Sequence, residues 1–244
     1  MRTSASACWF LSCVLGICVL GVAVPAAAED EPMPGAAVSD NLEAARTIEE
    51  LTSRAKPSVC VINSTGRDGR RSGLGSGFVI SDDGLIATNM HVIGEARPIS
   101  VELANGRRYE VTEVYASDRK ADLAIIRIDA DELTPLALGD SDQLQPGRPV
   151  VALGNPLGFE HSVVAGVVSA KREIEGRPMI QLAMAIEPGN SGGPLLDLAG
   201  RVQGVLNMKS LVTANLGFAI EVNELKALLA QPNPIPIDRW LTIG

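Results

Sequence analysis

The residue best suited to covalent chemistry is a serine in the glycine-rich segment Glu187–Leu195. Glycines on both sides of Ser191 allow a tight turn that exposes its hydroxyl. They also let neighbouring backbone N–H groups point at one place, which is the requirement for an oxyanion hole. We predict that Gly189, Asn190 and Ser191 form this hole, with the N–H groups of Gly189 and Ser191 as donors. A plain glycine-rich surface turn is the alternative interpretation.

A serine hydroxyl needs a base to become a nucleophile, and the chain has two histidines. His91 directly follows a predicted strand, whereas His161 lies in a segment that reads as a loop or strand edge. Asp122 opens an apolar strand, where burial of a carboxylate is costly without a partner such as a histidine N–H. We therefore predict that Asp122 orients His91. Asp118 is a competitor in a polar turn, and purely structural roles for both residues stay open.

The order of these residues along the chain separates two classes of hydrolase. The α/β-hydrolases place a serine in a similar glycine-rich turn, but their acid and histidine follow it. Here no histidine follows Ser191, so that class is excluded. The order His91, Asp122, Ser191 is that of the chymotrypsin-type β-barrel peptidases.

The elements that would position these residues are short strands. Runs rich in Val and Ile recur between Gly, Asp and Asn turns, without helices between them, which favours an all-β barrel or sandwich. The segment 134–147, with two prolines, divides the runs into two groups, within residues 56–133 and 148–230. The predicted strands are Val59–Ile62, Gly77–Ile80, Leu85–Thr88, Ile99–Leu103, Glu110–Tyr115, Leu123–Ile128, Pro149–Leu153, His161–Ser169, Met179–Met184, Pro194–Leu196, Val202–Asn207 and Gly217–Ile220.

Composition limits the class of protein. The 244 residues are 46% hydrophobic, which is enough for a substantial core in one domain or two small ones. A net charge of −8 argues against binding to nucleic acid, because phosphates require a basic surface. Two histidines leave little room for a metal site, and we expect no metal or cofactor.

The ends of the chain differ in character from its middle. Residues 1–28 combine a basic start, an apolar run and an Ala-rich end, which predicts a secretory signal peptide cleaved after Ala28. An uncleaved membrane anchor is the alternative. Residues 29–55 read as an acidic tether and a helix from Asn41 to Ala55, and the proline-rich residues 231–244 read as a tail. Beyond the signal only Cys60 remains, and we expect it to be a buried hydrophobic residue.

Together these segments resemble the HtrA (Deg) family of trypsin-like serine proteases. The resemblance covers roughly residues 56–230. It implies a double β-barrel of the chymotrypsin type with short N- and C-terminal helices, acting as an exported endopeptidase on unfolded or damaged proteins, with His91, Asp122 and Ser191 as the triad. The matching segments are Lys56–Val59, Gly75–Ile80, Asp83–Gly84, Thr88–Val92, Ala121–Ala124, Gly154–Gly158, Gly166–Ser169, Gly189–Pro194 and Gly217–Ile220.

The chain departs from the family pattern at several places. Glu187 stands where the family commonly has Asn, Met90 replaces a common Asn, and Glu221 stands where Pro is usual. The loop between Ser169 and Met179, which relays regulatory signals in the family, is expected to be short. Too few residues follow Ala230 for a domain, so we expect a protease unit without the PDZ domain that family members usually carry.

The trypsin-like layout also suggests a specificity pocket. Ala185, six residues before Ser191, would lie at the pocket base, and Leu206, Asn207 and Met208 would line its walls. With no acidic residue at the base, cleavage after small aliphatic residues is expected.

The expected partners are unfolded or extended polypeptides, with no nucleic acid, and with a membrane only if the signal is uncleaved. A homo-trimer is the assembly that the resemblance suggests. The alternative function is a catalytically silent, protease-like binding module of the cell envelope, whose oxyanion turn would be collapsed.

Overall fold

A computed structural model describes residues 47–65, 71–94, 98–154, 162–207 and 216–243 of the chain. Helices in these ranges are α1 (residues 47–55), α2 (Met90–Ile93), α3 (Val222–Ala230) and α4 (Ile237–Ile243). Short 3₁₀ helices lie at Lys56–Ser58 and Ser141–Gln143. The strands are β1 (Val59–Thr65), β2 (Arg71–Val79), β3 (Leu85–Asn89), β4 (Ile99–Leu103), β5 (Arg108–Asp118), β6 (Leu123–Ile128), β7 (Pro149–Gly154), β8 (Ser162–Ile174), β9 (Arg177–Leu182), β10 (Pro194–Asp197), β11 (Val202–Asn207), β12 (Gly217–Glu221) and β13 (Ile235–Pro236).

The first six strands form an antiparallel barrel. Their order is β5-β4-β1-β2-β3-β6, and β5 also pairs with β6, which closes the barrel. In β4 buried and half-buried residues alternate, as expected of a strand with one face toward a core. The interior of this barrel contains mainly β-branched residues and Leu, including Ile62, Ile86 and Ile126.

The second six strands close a similar antiparallel barrel in the order β10-β11-β12-β9-β8-β7. Strands β8 and β9 are joined by a hairpin of only two residues, Glu175 and Gly176, both with positive φ. That conformation is typical of the tight turns that match strand twist. The segment that was expected to be a short loop is thus mostly strand, and the hairpin tip is all that lies between β8 and β9.

A third cluster of buried side chains lies between the two barrels. It combines Phe78 and Leu123 of the first barrel with Val151 and Leu153 of the second, and it includes Leu51 of α1. Burial of apolar surface is the main favourable term in folding. This shared cluster therefore holds the two barrels together.

The C-terminal segment returns to the first barrel. Asn233 accepts a hydrogen bond from the Ser117 N–H and donates one to the Ser117 carbonyl. Strand β13 then pairs with β5, and Ile237 and Trp240 pack against the core of the first barrel. The proline-rich residues after α3 therefore pack on the first barrel. Pro236 lies on an edge strand, where its missing N–H costs no ladder bond.

The fold class is confirmed as a double β-barrel with short helices near both ends. All twelve predicted strands are present, although several are longer than their apolar cores, as in Arg108–Asp118. Helix α1 is described only from residue 47, and the predicted signal peptide and tether lie outside the described residues. Within the described ranges, no helix is long and apolar enough to cross a bilayer.

Cys60 is completely buried in the first barrel. Burial raises the pKa of its thiol to about 12. Because the thiolate is the reactive form of cysteine, this residue is inert at neutral pH.

Candidate active site

His91 lies in the short helix α2, which directly follows strand β3. Strand β3 pairs with β2 and β6 at the centre of the first barrel, so the start of α2 is rigidly held. Met90 and Val92 point into the core, whereas the His91 side chain is 46% exposed. The alternation of buried and exposed residues in one helical turn directs the imidazole out of the barrel.

Asp122 occupies an unusual backbone conformation just before strand β6. Its φ is 58°, in the left-handed region that Asp tolerates better than most residues. Its carbonyl accepts hydrogen bonds from the Met90 N–H (3.1 Å) and from the Asn89 side-chain amide (3.1 Å). These bonds offset the strain and hold Asp122 against the beginning of α2.

The Asp122 carboxylate faces His91. Oδ1 accepts the His91 backbone N–H at 3.0 Å, and Oδ2 lies 2.8 Å from His91 Nδ1. A carboxylate only accepts hydrogen bonds, so Nδ1 carries the proton and Nε2 is the basic nitrogen. Asp118, the competing carboxylate, instead accepts the backbone N–H groups of Lys120 and Ala121.

A residue of the second barrel completes this pair. The side-chain amide of Asn207, at the end of β11, donates to Asp122 Oδ2 at 2.9 Å. Asn207 is 1% exposed. Its only signal in the sequence is an amide at the end of an otherwise apolar strand, which predicts a place at a pocket wall. The structure shows its side chain in contact with the carboxylate of the His–Asp pair.

Ser191 lies in a buried turn that enters strand β10. The Asn190 N–H donates to the Glu187 carbonyl at 3.1 Å, and Gly189 has a φ of 98°. Proline at the first central position and glycine with positive φ at the second are typical of a type II turn. The Asn190 N–H thus donates within the turn.

The peptide groups that follow this turn form hydrogen bonds to both barrels. The Ser191 carbonyl accepts the Ser76 N–H of β2, and the Gly192 N–H donates to the Leu206 carbonyl of β11, both at 2.8 Å. A Cβ atom at Gly192, whose φ is 86°, would contact Ser76 and Thr88 of the first barrel. The turn therefore lies directly against the strands that precede His91.

These contacts connect the three predicted chemical residues. Gly192, next to Ser191, is bonded to Leu206, and Asn207, next in the chain, is bonded to Asp122. Asp122 in turn contacts His91. A serine, a histidine and a carboxylate at the interface of two barrels are the side chains that acyl transfer through a covalent intermediate requires.

Comparison with known proteins agrees with this reading. A family model described as a trypsin-like peptidase domain matches residues 75–205, a range that contains His91, Asp122 and Ser191. A probable periplasmic serine endoprotease, DegP-like, from Marinomonas sp. is 49% identical over 143 residues. The aligned part is 57% of this chain and 30% of that protein. The chain belongs to the HtrA family of trypsin-like serine proteases.

Solved structures of bacterial serine proteases have the same fold. The HtrA-type protease AlgW with a tripeptide gives a TM-score of 0.67 at 37% identity, and covers 75% of this chain and 61% of that one. The serine endoprotease from Yersinia pestis gives a TM-score of 0.67 at 30% identity, over 81% and 67%. The chain spans about a third of the length of the curated relatives that it matches.

The residues predicted to line a specificity pocket differ in how exposed they are. Ala185 is exposed. Leu206 is fully buried, and its side chain belongs to the core of the second barrel. Met208 lies outside the described residues, as does His161. Beside Ala185, the Ile186 side chain contacts the position where a Cβ of Gly217 would lie.

Two departures from the HtrA pattern have a structural explanation. The Glu187 side chain is exposed, and its backbone carbonyl accepts the Asn190 N–H in the turn before Ser191. Glu221 precedes α3 with a φ of −60°, which is compatible with the proline usual at this place. Its carboxylate is buried and lies 3.0 Å from Lys171 Nζ of β8.

Proposed function

We propose that this chain is a serine endopeptidase in which Ser191 attacks peptide bonds with the help of His91 and Asp122. The observation that carries the proposal is the contact of 2.8 Å between His91 Nδ1 and Asp122 Oδ2, at the interface where the Ser191 turn lies. This contact leaves His91 Nε2 as the nitrogen that can accept a proton. Membership of the HtrA family supports the same assignment.

In the proposed reaction, His91 Nε2 takes the proton of the Ser191 hydroxyl while the oxygen attacks the substrate carbonyl. The tetrahedral intermediate collapses when the imidazolium gives that proton to the leaving amine, and an acyl-enzyme remains. Water, deprotonated by His91, then releases the acid and restores Ser191. Asp122 stabilises the imidazolium in both halves of the reaction and does not itself become protonated.

We assign the oxyanion hole to the N–H groups of Gly189 and Ser191. The Asn190 carbonyl accepts the Gly193 N–H at 2.9 Å. Because N–H and C=O point in opposite directions in a trans peptide, this bond supports a Ser191 N–H that points away from Gly193. The positive φ of Gly189 supports the type II form of the preceding turn, which sets the direction of the Gly189 N–H.

We assign substrate preference to small aliphatic residues before the cleaved bond. Ala185 brings no charge to attract Lys or Arg. The contact of Ile186 with the Gly217 position supports a narrow, apolar pocket. A pocket of that kind discriminates by size and by the cost of burying charge.

The substrate class and location follow from the family. HtrA relatives are named periplasmic serine endoproteases, and the signal-like residues 1–28 favour export of this chain. We propose that it cleaves unfolded or extended polypeptides after export. An extended chain is required because the substrate must enter a cleft between two rigid barrels.

Replacement of the nucleophile tests the proposal. Ser191→Ala should lower turnover of casein by about 10⁶-fold, as in other triads, with an unchanged melting temperature. The buried Ser58→Ala variant is the matched control, and it should cleave casein at the wild-type rate. Equal cleavage by wild type and Ser191→Ala would show that Ser191 is not the nucleophile.

A further inference from the structure

Ser76 is a fully buried residue of β2 whose hydroxyl and N–H both donate across the boundary between the barrels. Its hydroxyl donates to the Gly189 carbonyl at 2.6 Å. Its N–H donates to the Ser191 carbonyl at 2.8 Å. Its own carbonyl accepts the Thr88 hydroxyl at 2.8 Å. One residue of the first barrel therefore binds two carbonyls of residues 187–191 in the second barrel. This segment is called the oxyanion turn below.

The hydroxyl bond fixes one particular peptide plane. The peptide between Gly189 and Asn190 is held at its N–H by the Glu187 carbonyl and at its C=O by Ser76. A peptide is planar, so two bonds at opposite ends determine its orientation. Gly189 has no side chain to limit rotation, and without the Ser76 bond its φ and ψ are much less restricted.

The orientation of this plane matters because the neighbouring N–H groups carry the proposed chemistry. The Gly189 N–H lies one bond from the fixed plane on one side, and the Ser191 N–H lies on the next peptide on the other side. Oxyanion stabilisation depends on donors that are aligned before the charge develops. A turn that can rotate loses this advantage even when the fold is intact.

We propose that Ser76 is a positioning residue that holds the oxyanion turn in its active form through its hydroxyl. This inference rests on the proposed peptidase function. Ser76 touches neither substrate nor the reacting atoms, and it acts through Gly189. Thr88 donates to the Ser76 carbonyl from β3, the strand that leads to His91. Two hydrogen bonds therefore connect this strand with the oxyanion turn.

The proposal differs from a purely structural role in its kinetic signature. Loss of a packing contact lowers stability and leaves the kinetics of the folded fraction unchanged. Loss of oxyanion alignment weakens transition-state binding, which lowers kcat and leaves KM nearly unchanged. A peptide boronate forms a tetrahedral adduct with a catalytic serine. Its affinity therefore reports how well the site stabilises the tetrahedral species, without turnover.

The test is Ser76→Ala in the full chain, assayed with a peptide taken from a casein cleavage site. We expect kcat to fall roughly 10- to 100-fold, less than the loss of a direct oxyanion donor, with KM within about twofold of wild type. The inhibition constant of a boronate of the same peptide should rise by the factor by which kcat/KM falls. Ser76→Cys keeps a weak donor, so its kcat and its inhibition constant should lie between those of Ser76→Ala and wild type.

The control is Ser58→Ala, the same change at another fully buried serine of the N-terminal half. The described residues give its hydroxyl no hydrogen-bond partner. This variant should keep wild-type kcat and boronate affinity. If Ser76→Ala does not fold, Ser76→Cys is compared with wild type in kcat, KM and boronate affinity, and the inference is judged on these three values.

Four results would overturn the inference. A folded Ser76→Ala with wild-type kcat shows that the hydroxyl is dispensable. A lower kcat with unchanged boronate affinity, or a change in KM alone, shows that the oxyanion turn is not what Ser76 holds. A wild-type chain that cleaves nothing overturns the proposed function itself, and this inference with it.

Discussion

Asp122 shows how one residue can organise a site through its backbone and its side chain together. Its left-handed conformation presents the carbonyl to α2 and the carboxylate to His91. Asp is one of the few residue types that adopt this conformation at modest cost, apart from glycine. Position 122 therefore needs both a residue that tolerates a positive φ and a side chain with a negative charge.

Asp122→Asn separates these two requirements. Asn tolerates the same backbone conformation, so the fold and the melting temperature should stay close to wild type. The lost charge no longer fixes the tautomer of His91 or stabilises its imidazolium, and kcat should fall by about 10⁴-fold, as in other triads. Peptide hydrolysis and a melting curve measured on the same sample check this; an activity within tenfold of wild type would contradict the role of Asp122.

The residues of the predicted triad could be found from sequence because their types and order are informative on their own. Asn207 and Ser76 could not be found in this way. Asn207 is 85 positions from Asp122, and Ser76 is 113 positions from Gly189. A side-chain amide or hydroxyl can form hydrogen bonds with many kinds of partner. Which partner it contacts is set only when the two barrels pack together.

At the scale of elements, the specificity pocket that we propose would be lined by the segment after β9 and the start of β12. Ala185, Ile186 and Gly217 are all uncharged and small or apolar there. A peptide library should therefore give cleavage after Val, Ala or Ile. Mass spectrometry of the products measures this, and a profile dominated by Lys or Arg would refute the proposed pocket.

The junction of β12 and α3 depends on an ion pair that the sequence pattern did not predict. Glu221 is buried, whereas Lys171 is about a third exposed, so solvent weakens the pair only in part. A double-mutant cycle of Glu221→Gln and Lys171→Met should give a coupling free energy of about 1 kcal/mol in denaturant unfolding. The exposed pair Arg108 and Glu102 is the control, with coupling near zero; equal coupling in both pairs would contradict this account.

Strand patterns were the most predictable elements, because apolar runs between turn residues are local signals. Strand β13 and helix α4 were missed for the converse reason. Strand β13 is only two residues long and includes Pro236. Its place is set by distant contacts, such as those of Asn233 with Ser117, rather than by its own sequence.

At the scale of the whole molecule, the proposed function needs both barrels at once. The first supplies His91 and Asp122, the second supplies Ser191, and a shared core holds them together. Neither barrel alone has a complete set of groups for acyl transfer. The sequence suggested this division through the order of the three residues and the break at residues 134–147.

Covalent labelling with a fluorophosphonate tests whether Ser191 is an activated nucleophile, because the probe reacts with a serine that is activated by its base. We expect one adduct per chain, located on Ser191 by peptide mass spectrometry, absent in Ser191→Ala and strongly reduced in His91→Ala. A folded wild-type chain that remains unlabelled, or one labelled at another serine, would contradict it.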